Sequence, residues 1–411
     1  MKRLSVYLNG ERVGRLEQDD SGLLLFTYDS AWLERKGAIP LSRSLPLRPE
    51  AFRGKEARAF FAGILPEETP RKIIASILGI SERNDFAMLE RIGGECAGAV
   101  SFLPEEESLP QSNEPELREL SDDDLARIVE ELPRRPLMAG GEGIRLSLAG
   151  AQDKLPVVLQ NGRICIPLDD TPSTHILKPE PERFPGLAVN ELFCLKLAAA
   201  AGLSVPHAEL LFPGDIPCLL VSRYDRDTDE RRHTVRVHQE DFCQALGFPP
   251  ERKYQQEGGP LLRDCIQLLR DWSTAPVVDI RNLIDGLIFN TLIGNADAHG
   301  KNYSLLYSGS QRRLAPFYDL VCTMAWPELS SQLSMKIGRC KTLKEITPGH
   351  WQKMAEEAGL GGPMVRERVR VFCEKTIAAL DEADPGVRAL NPEMTDRIGE
   401  TVRRQALRLN G

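Results

Sequence analysis

The sequence predicts an α+β protein of two lobes, the second mostly helical, with a small β-rich domain appended at the N-terminus. Three observations carry this. Residues 1–105 alternate apolar and polar side chains in short runs between tight turns. Residues 106–241 repeat that pattern around one apolar helix, and from 242 to 411 apolar residues recur mainly at helical spacing. At 411 residues the chain exceeds what one hydrophobic core ordinarily serves, so several units are expected.

In the first unit, Asn9-Gly10 between the period-two runs 5–8 and 13–16 predicts a hairpin, because both turn positions favour positive φ. A third strand over 23–28 and a short helix over 31–35 follow. Helices are expected at 71–78 and 85–92, the second capped by Ser81 and ended by Gly93-Gly94, before a strand at 99–103. The acidic, proline-containing run 104–119 reads as a solvated linker or a long connecting loop. Ser121, followed by Asp122, Asp123 and Asp124, opens a helix to about residue 132, with acids at its positive end.

In the second unit, strands are expected at 144–148, 155–159, 163–167, 175–178, 218–222 and 234–237. Asn161-Gly162 makes a tight turn, and a helix over 190–201 closes at Gly202. The last unit carries helices over 261–269, 278–295, 350–358, 365–379 and 392–409, with a β interlude at 303–307 and 314–317.

Composition narrows the class. The chain is 42% hydrophobic and 27% charged, which suits a globular protein, and no apolar run approaches the ~18–20 residues of a membrane span. The Asn9-Gly10 turn interrupts any apolar signal segment, so a cytoplasmic setting is expected. Nine cysteines lie scattered without a CxxC pair, and the histidines show no ligand spacing, which argues against structural zinc or a disulfide framework. A net charge of −8 provides no general attraction to nucleic acid.

Four features stand in an order that suggests phosphoryl transfer. A turn around Gly150, with Ala151, Gln152, Asp153 and Lys154, can lay backbone N–H groups over phosphates. Lys178 ends the apolar run Ile176-Leu177 and can meet phosphate oxygens. The segment NADAHGKN, 295–302, sits where a long apolar helix gives way to a strand, a costly place for so many polar groups without a task. Tyr318-Asp319-Leu320 follows the expected strand 314–317. In such a set Asp297 can accept a hydroxyl proton, while Asn302 and Asp319 offer oxygen ligands to Mg²⁺. The D-x-x-x-x-N spacing with a later strand-end Asp matches the protein-kinase arrangement, so a two-lobed protein-kinase-like fold is expected.

These residues resemble the HipA family of serine/threonine kinase toxins. The matching stretches are SLAGAQDKLPV (147–157), HILKPE (175–180), NELFCLKLAAAAGLSVP (190–206), LLVSRYDR (219–226), HQEDFCQALG (238–247), KYQQEGGP (253–260), NADAHGKN (295–302) and APFYDL (315–320). FFAGILPEETPR (60–71) and GGECAGAVSF (93–102) extend the likeness through the N-terminal unit. The resemblance implies ATP and Mg²⁺ as cofactors, Asp297 as catalytic base, Asn302 and Asp319 as metal ligands, and Lys178 on the phosphates, with Glu191 a candidate partner for it. It implies further that Glu240 to Phe242 form the adenine hinge, that His299 and Lys301 lie beside the phosphates, and that Ser147 is autophosphorylated to switch the enzyme off. Its implied partners are a HipB-like helix-turn-helix antitoxin encoded nearby, DNA mainly through that antitoxin, and a protein substrate such as an aminoacyl-tRNA synthetase, whose modification arrests translation. The phosphate loop departs from G-x-G-x-x-G by keeping only Gly150, and NAD and YDL stand where other kinases carry HRD and DFG.

Two other readings fit parts of the chain. A small-molecule phosphotransferase of the aminoglycoside kind shares a similar catalytic loop, although the N-terminal unit and HQEDF favour the toxin kinase. A non-catalytic module assisting an antitoxin on DNA is opposed by the complete set Lys178, Asp297, Asn302 and Asp319.

Overall fold

The computed structural model describes residues 2–107, 115–230 and 233–410. Its first part is a five-stranded antiparallel sheet in the spatial order Phe52–Arg53, Leu24–Tyr28, Glu11–Gln18, Lys2–Leu8, Val100–Pro104. The expected hairpin is present, with Asn9 and Gly10 at φ of 52° and 77°. Leu4, Val6, Val13, Leu16 and Phe26 are fully buried under the helices Lys55–Gly63, Glu68–Leu78 and Asp85–Ile92.

The second sheet has six antiparallel strands in the order Ala208–Leu211, Cys218–Ser222, His175–Pro179, Leu155–Gln160, Arg163–Pro167, Leu117–Glu119. Its two faces serve different cores. Strand alternation points Leu177, Cys218 and Leu220 into one continuous core with residues 4–103, while Leu219 and Val221 face the helix Leu187–Ala200 and the helical lobe. The first hundred residues therefore pack directly onto the back of the second sheet.

A three-stranded sheet, His238–Asp241, Ser304–Ser308 and Gln311–Leu314, joins this sheet to the helical lobe. There the helix Pro276–Ile293 is buried almost all round and packs against Leu262–Trp272, Gly362–Asp381 and Pro392–Asn410. Gly294, at φ 75°, ends it in the left-handed conformation and releases the chain into 295–302. Among the described residues no helix is long and apolar enough to cross a membrane. All nine cysteines are buried and unpaired.

Several local expectations are corrected. Residues 144–148 make only one bridge, Leu146 to Glu95, because both neighbours of the strand Leu155–Gln160 are already in place. The cap of Asp85–Ile92 is Asn84, whose side chain accepts from the Ala87 amide, rather than Ser81. The strand expected at 314–317 is instead Gln311–Leu314, paired to Ser304–Ser308 across a tight turn. The helix Lys55–Gly63 went unanticipated. Of the run 104–119, Leu117–Glu119 is an edge strand on Arg163–Pro167, and 108–114 lies outside the described residues.

Candidate active site

The strand His175–Pro179 turns Lys178 away from the shared core, toward the helix Leu187–Ala200. There the Lys178 ammonium donates to Glu191 Oε1 at 2.7 Å and Asp319 Oδ1 at 2.5 Å. Burial disfavours its charge, but Asp319 and Glu191 outweigh this and hold its pKa above the ordinary lysine range. For Asp319 burial acts upward, and Lys178 and Lys154 overcome it to hold the carboxyl at about 2. Asp319 adopts φ 51°, a left-handed backbone that a non-glycine residue rarely takes. That conformation aims its side chain back across the cleft toward Lys178 and Asn302.

The segment 295–302 is pinned by its own amides. Asn295 donates to Asn290 Oδ1 at 2.8 Å and accepts from the Asp297 amide at 3.0 Å. His299 N–H donates to Asp297 O and Asn302 N–H to His299 O, which brings Asn302 beside Asp319. Asn302 Nδ2 donates to Asp319 Oδ2 at 3.4 Å. Asn302 Oδ1 is buried and has no hydrogen-bond partner, so its lone pairs await one. Asp297 faces the open mouth of the cleft, where Oδ1 accepts from the Tyr254 hydroxyl at 2.9 Å. The surrounding walls raise its pKa, and Tyr254 moderates the rise. His299 is buried and held neutral, its pKa pushed down to about 3 by burial and by Lys253.

One cleft of about 1430 Å³ collects Gly150, Ala151, Gln152, Asp153, Lys154, Lys178, Asp297, His299, Lys301, Asn302 and Asp319. Lys154 folds back to donate to Ala149 O at 2.6 Å, closing the turn at Gly150, which needs its φ of 112°. Among the described residues no group of three or more His, Cys, Asp or Glu side chains could hold a metal. The orphaned Asn302 oxygen beside the Asp319 carboxylate does fit Mg²⁺, which commonly takes one or two protein ligands and completes its shell from phosphates and water.

Three expected site residues lie elsewhere. The side chains of Glu240 and Phe242 point off the cleft wall, because alternation along His238–Asp241 turns Gln239 and Asp241 inward; the expected adenine hinge is a backbone contact and does not require them there. Glu240 faces the N-terminal domain, bonded to Ser42, the Arg43 amide and Tyr307, and burial pushes its carboxyl up to about 7. Phe242 is in the core, its N–H donating to Tyr303 O at 2.9 Å. Ser147 is fully buried beneath the turn at Gly150, its hydroxyl donating to Ile64 O at 3.2 Å. Lys301 lines the cleft but is tied to Asp241 and Gly63 O.

Glu67, Lys253 and Tyr254 were not singled out from the sequence, yet all three line the cleft. The available signal was Glu67-Glu68 directly after an apolar run and Lys253-Tyr254 within a glycine- and proline-rich turn.

The family model "HipA N-terminal domain" matches residues 4–103 and "HipA-like C-terminal domain" matches 146–383. A putative kinase of Sinorhizobium fredii, Y4mE, is 48% identical over 92% of this chain and 90% of its own length. The serine/threonine-protein kinase toxin HipA of Shewanella oneidensis is 31% identical over 81% of this chain and 78% of its own length. Among solved structures, HipA of Shewanella oneidensis, in complex with HipB and operator DNA, superposes with a TM-score of 0.84 at 26% identity, covering 98% of this chain and 97% of that one.

Proposed function

This chain belongs to the HipA family of serine/threonine kinases, and from that premise we propose that it transfers the γ-phosphoryl group of ATP to a protein hydroxyl in the cleft described above. The observation that carries this reading is the meeting of Lys178, Asp319 and Asn302 in front of Asp297, although Lys178 and Asp319 are 141 positions apart. Lys178, aimed by Glu191, and Lys154 hold phosphate oxygens. Asn302 and Asp319 would hold Mg²⁺, which when bound neutralises charge on the β and γ phosphates. Asp297 takes the proton of the seryl or threonyl hydroxyl as that oxygen bonds to the γ-phosphorus and ADP leaves. Neutral His299 offers a ring nitrogen beside the phosphates, and the backbone of Glu240 to Phe242, next to the wall residues Gln239 and Asp241, is the proposed adenine hinge.

Replacing the proposed base tests the assignment. Asp297→Asn should fold normally and lose roughly 10²–10⁴-fold in transfer from labelled ATP. Transfer at the wild-type rate removes Asp297 from the mechanism. Label appearing in a protein band, rather than in a small molecule, supports the protein-kinase reading over the small-molecule one.

The finer reading follows the family. The acceptor is a protein, by resemblance an aminoacyl-tRNA synthetase, and the proposed setting is the cytoplasm. A HipB-like antitoxin encoded nearby restrains the kinase and supplies most of the DNA contact, as a net charge of −8 on this chain suggests. Residues 1–105, 106–241 and 242–411 act as the N-terminal, phosphate-binding and catalytic units. Expression with and without the adjacent small open reading frame, followed by identification of newly phosphorylated proteins, tests substrate and restraint together. Ser147 is the proposed autophosphorylation site. Its hydroxyl is buried, so the loop must swing out first. Incubation with ATP should add one phosphate there by mass spectrometry, and a phosphate found only elsewhere refutes this.

A further inference from the structure

The N-terminal domain sends one segment into the cleft. After the helix Lys55–Gly63 the chain runs past Pro66, which forms a parallel bridge with Gly150, and enters the helix Glu68–Leu78. The Glu67 amide donates to Gly150 O at 3.1 Å, so this segment grips the phosphate loop by its backbone. The Glu67 carboxylate, only 8% exposed, points the other way along the cleft floor. Its Oε2 accepts from Lys253 at 2.9 Å, and its Oε1 lies 3.5 Å from the Lys301 ammonium.

Both lysines lead to the catalytic segment. Lys301 belongs to 295–302 and also donates to Gly63 O at 3.0 Å and Asp241 Oδ2 at 2.8 Å. Lys253 precedes Tyr254, whose hydroxyl donates to Asp297. Four buried charges thus close on one another: Glu67 and Asp241 against Lys253 and Lys301. Within this group only Glu67 meets both lysines; Lys253 has Glu68 besides, and Lys301 has Asp241, so the carboxylate of Glu67 is the link between the two. Glu68 shares Lys253, at 3.3 Å, but from a solvent-exposed position, and the contact to Lys301 is made by Glu67.

Interface adhesion alone does not explain this placement. Glu95 already fastens the same two units, meeting Arg223, Arg226 and Arg236, none of which belongs to the loop 149–154 or the segment 295–302. Glu67 instead touches both the loop that receives phosphates and the loop that carries the base.

We infer that Glu67 is a positioning residue contributed by the N-terminal domain, one that sets the phosphate loop and the catalytic segment at their working separation. The inference rests on the kinase reading for its consequence, but the coupling itself is a property of the fold. It also means that the loop cannot release Ser147 without breaking the Glu67 amide bond to Gly150.

The test uses the full chain carrying Glu67→Gln or Glu67→Asp, with two readouts. Amide hydrogen exchange is followed over residues 147–154 and 295–302 without nucleotide, and phosphate transfer from ATP to a generic acceptor protein, casein, is measured across nucleotide concentrations. Glu67→Gln should exchange at least tenfold faster in both segments, with the helix Pro276–Ile293 unchanged. It should also lower kcat at saturating ATP tenfold or more, beyond any rise in KM. Glu67→Asp, which keeps the charge, should recover most of both. Exchange at the wild-type rate in either segment overturns the inference, and so does faster exchange spread evenly through Pro276–Ile293, the sign of a purely stabilising role. A wild-type chain that transfers no phosphate sinks the kinase reading instead, while the exchange result still decides the role of Glu67.

Discussion

Replacing Lys178 separates what the buried ion cluster does for stability from what it does for chemistry. Lys178→Met keeps the length of the side chain and removes the charge that lies between Glu191 and Asp319. Glu191, 3% exposed, is then left as an unpaired buried carboxyl, and breaking such a pair costs about 3–5 kcal/mol. The Asp319 half adds little, because that side chain is 41% exposed and solvent-facing pairs contribute ~0.2–1 kcal/mol. Glu191 can also relieve itself by taking a proton, a form that its burial already favours, so the lower end, about 3 kcal/mol, is expected.

The double variant Lys178→Met with Glu191→Met removes the stranded carboxyl and should recover most of that loss. Neither variant should regain ATP affinity or transfer, since the cation facing the phosphates is gone in both. Urea unfolding midpoints and binding of a fluorescent ATP analogue read the two effects independently. The reasoning fails if the single variant stays within ~0.5 kcal/mol of wild type, the range of an ordinary surface change. It fails equally if the stable double variant transfers phosphate at the wild-type rate.

Two further outcomes are expected. Asn302→Ala deletes the orphaned oxygen assigned to the cation, so half-maximal transfer should need roughly tenfold or more Mg²⁺, at least what losing an outer-sphere partner costs, and EDTA should abolish transfer in the wild type. An unchanged Mg²⁺ dependence removes Asn302 from the metal site. Tyr254→Phe deletes the donor that lowers the pKa of Asp297, so that pKa rises. A base works only when deprotonated, and the acid limb of the rate–pH profile should therefore move to higher pH. The shift should be small, because the pair faces solvent and is screened. A limb that stays in place, or moves down, refutes the contact's role.

Much of the fold is legible in short-range pattern. Asn9-Gly10 dictates its hairpin because few residue pairs accept two consecutive positive φ values. Ser121 caps its helix as its hydroxyl accepts from the Asp124 amide three positions on. The mostly apolar stretch 283–293 within Pro276–Ile293 reads directly as a buried helix. Asp297 and Asn302 were accessible for the same reason: five positions of spacing between a helix end and a strand are fixed by the local chain.

Other features escaped because they depend on what arrives from far along the chain. Residues 144–148 alternate like a strand, but both sides of the neighbouring strand Leu155–Gln160 are already paired, and Leu146 makes a single bridge to Glu95. Whether Glu240 or its neighbours face the cleft turns on strand parity, which one residue of register reverses.

The sequence by itself determined most of the elements, the spacing of Asp297 and Asn302, and the family, since each is written in contiguous residues. Only the tertiary structure decided that Glu67 reaches Lys253 and Lys301, that Asp319 closes on Lys178, and that Ser147 lies sealed under the loop. Those contacts join segments that chain entropy would keep apart, and only the burial of the shared cores brings them within reach.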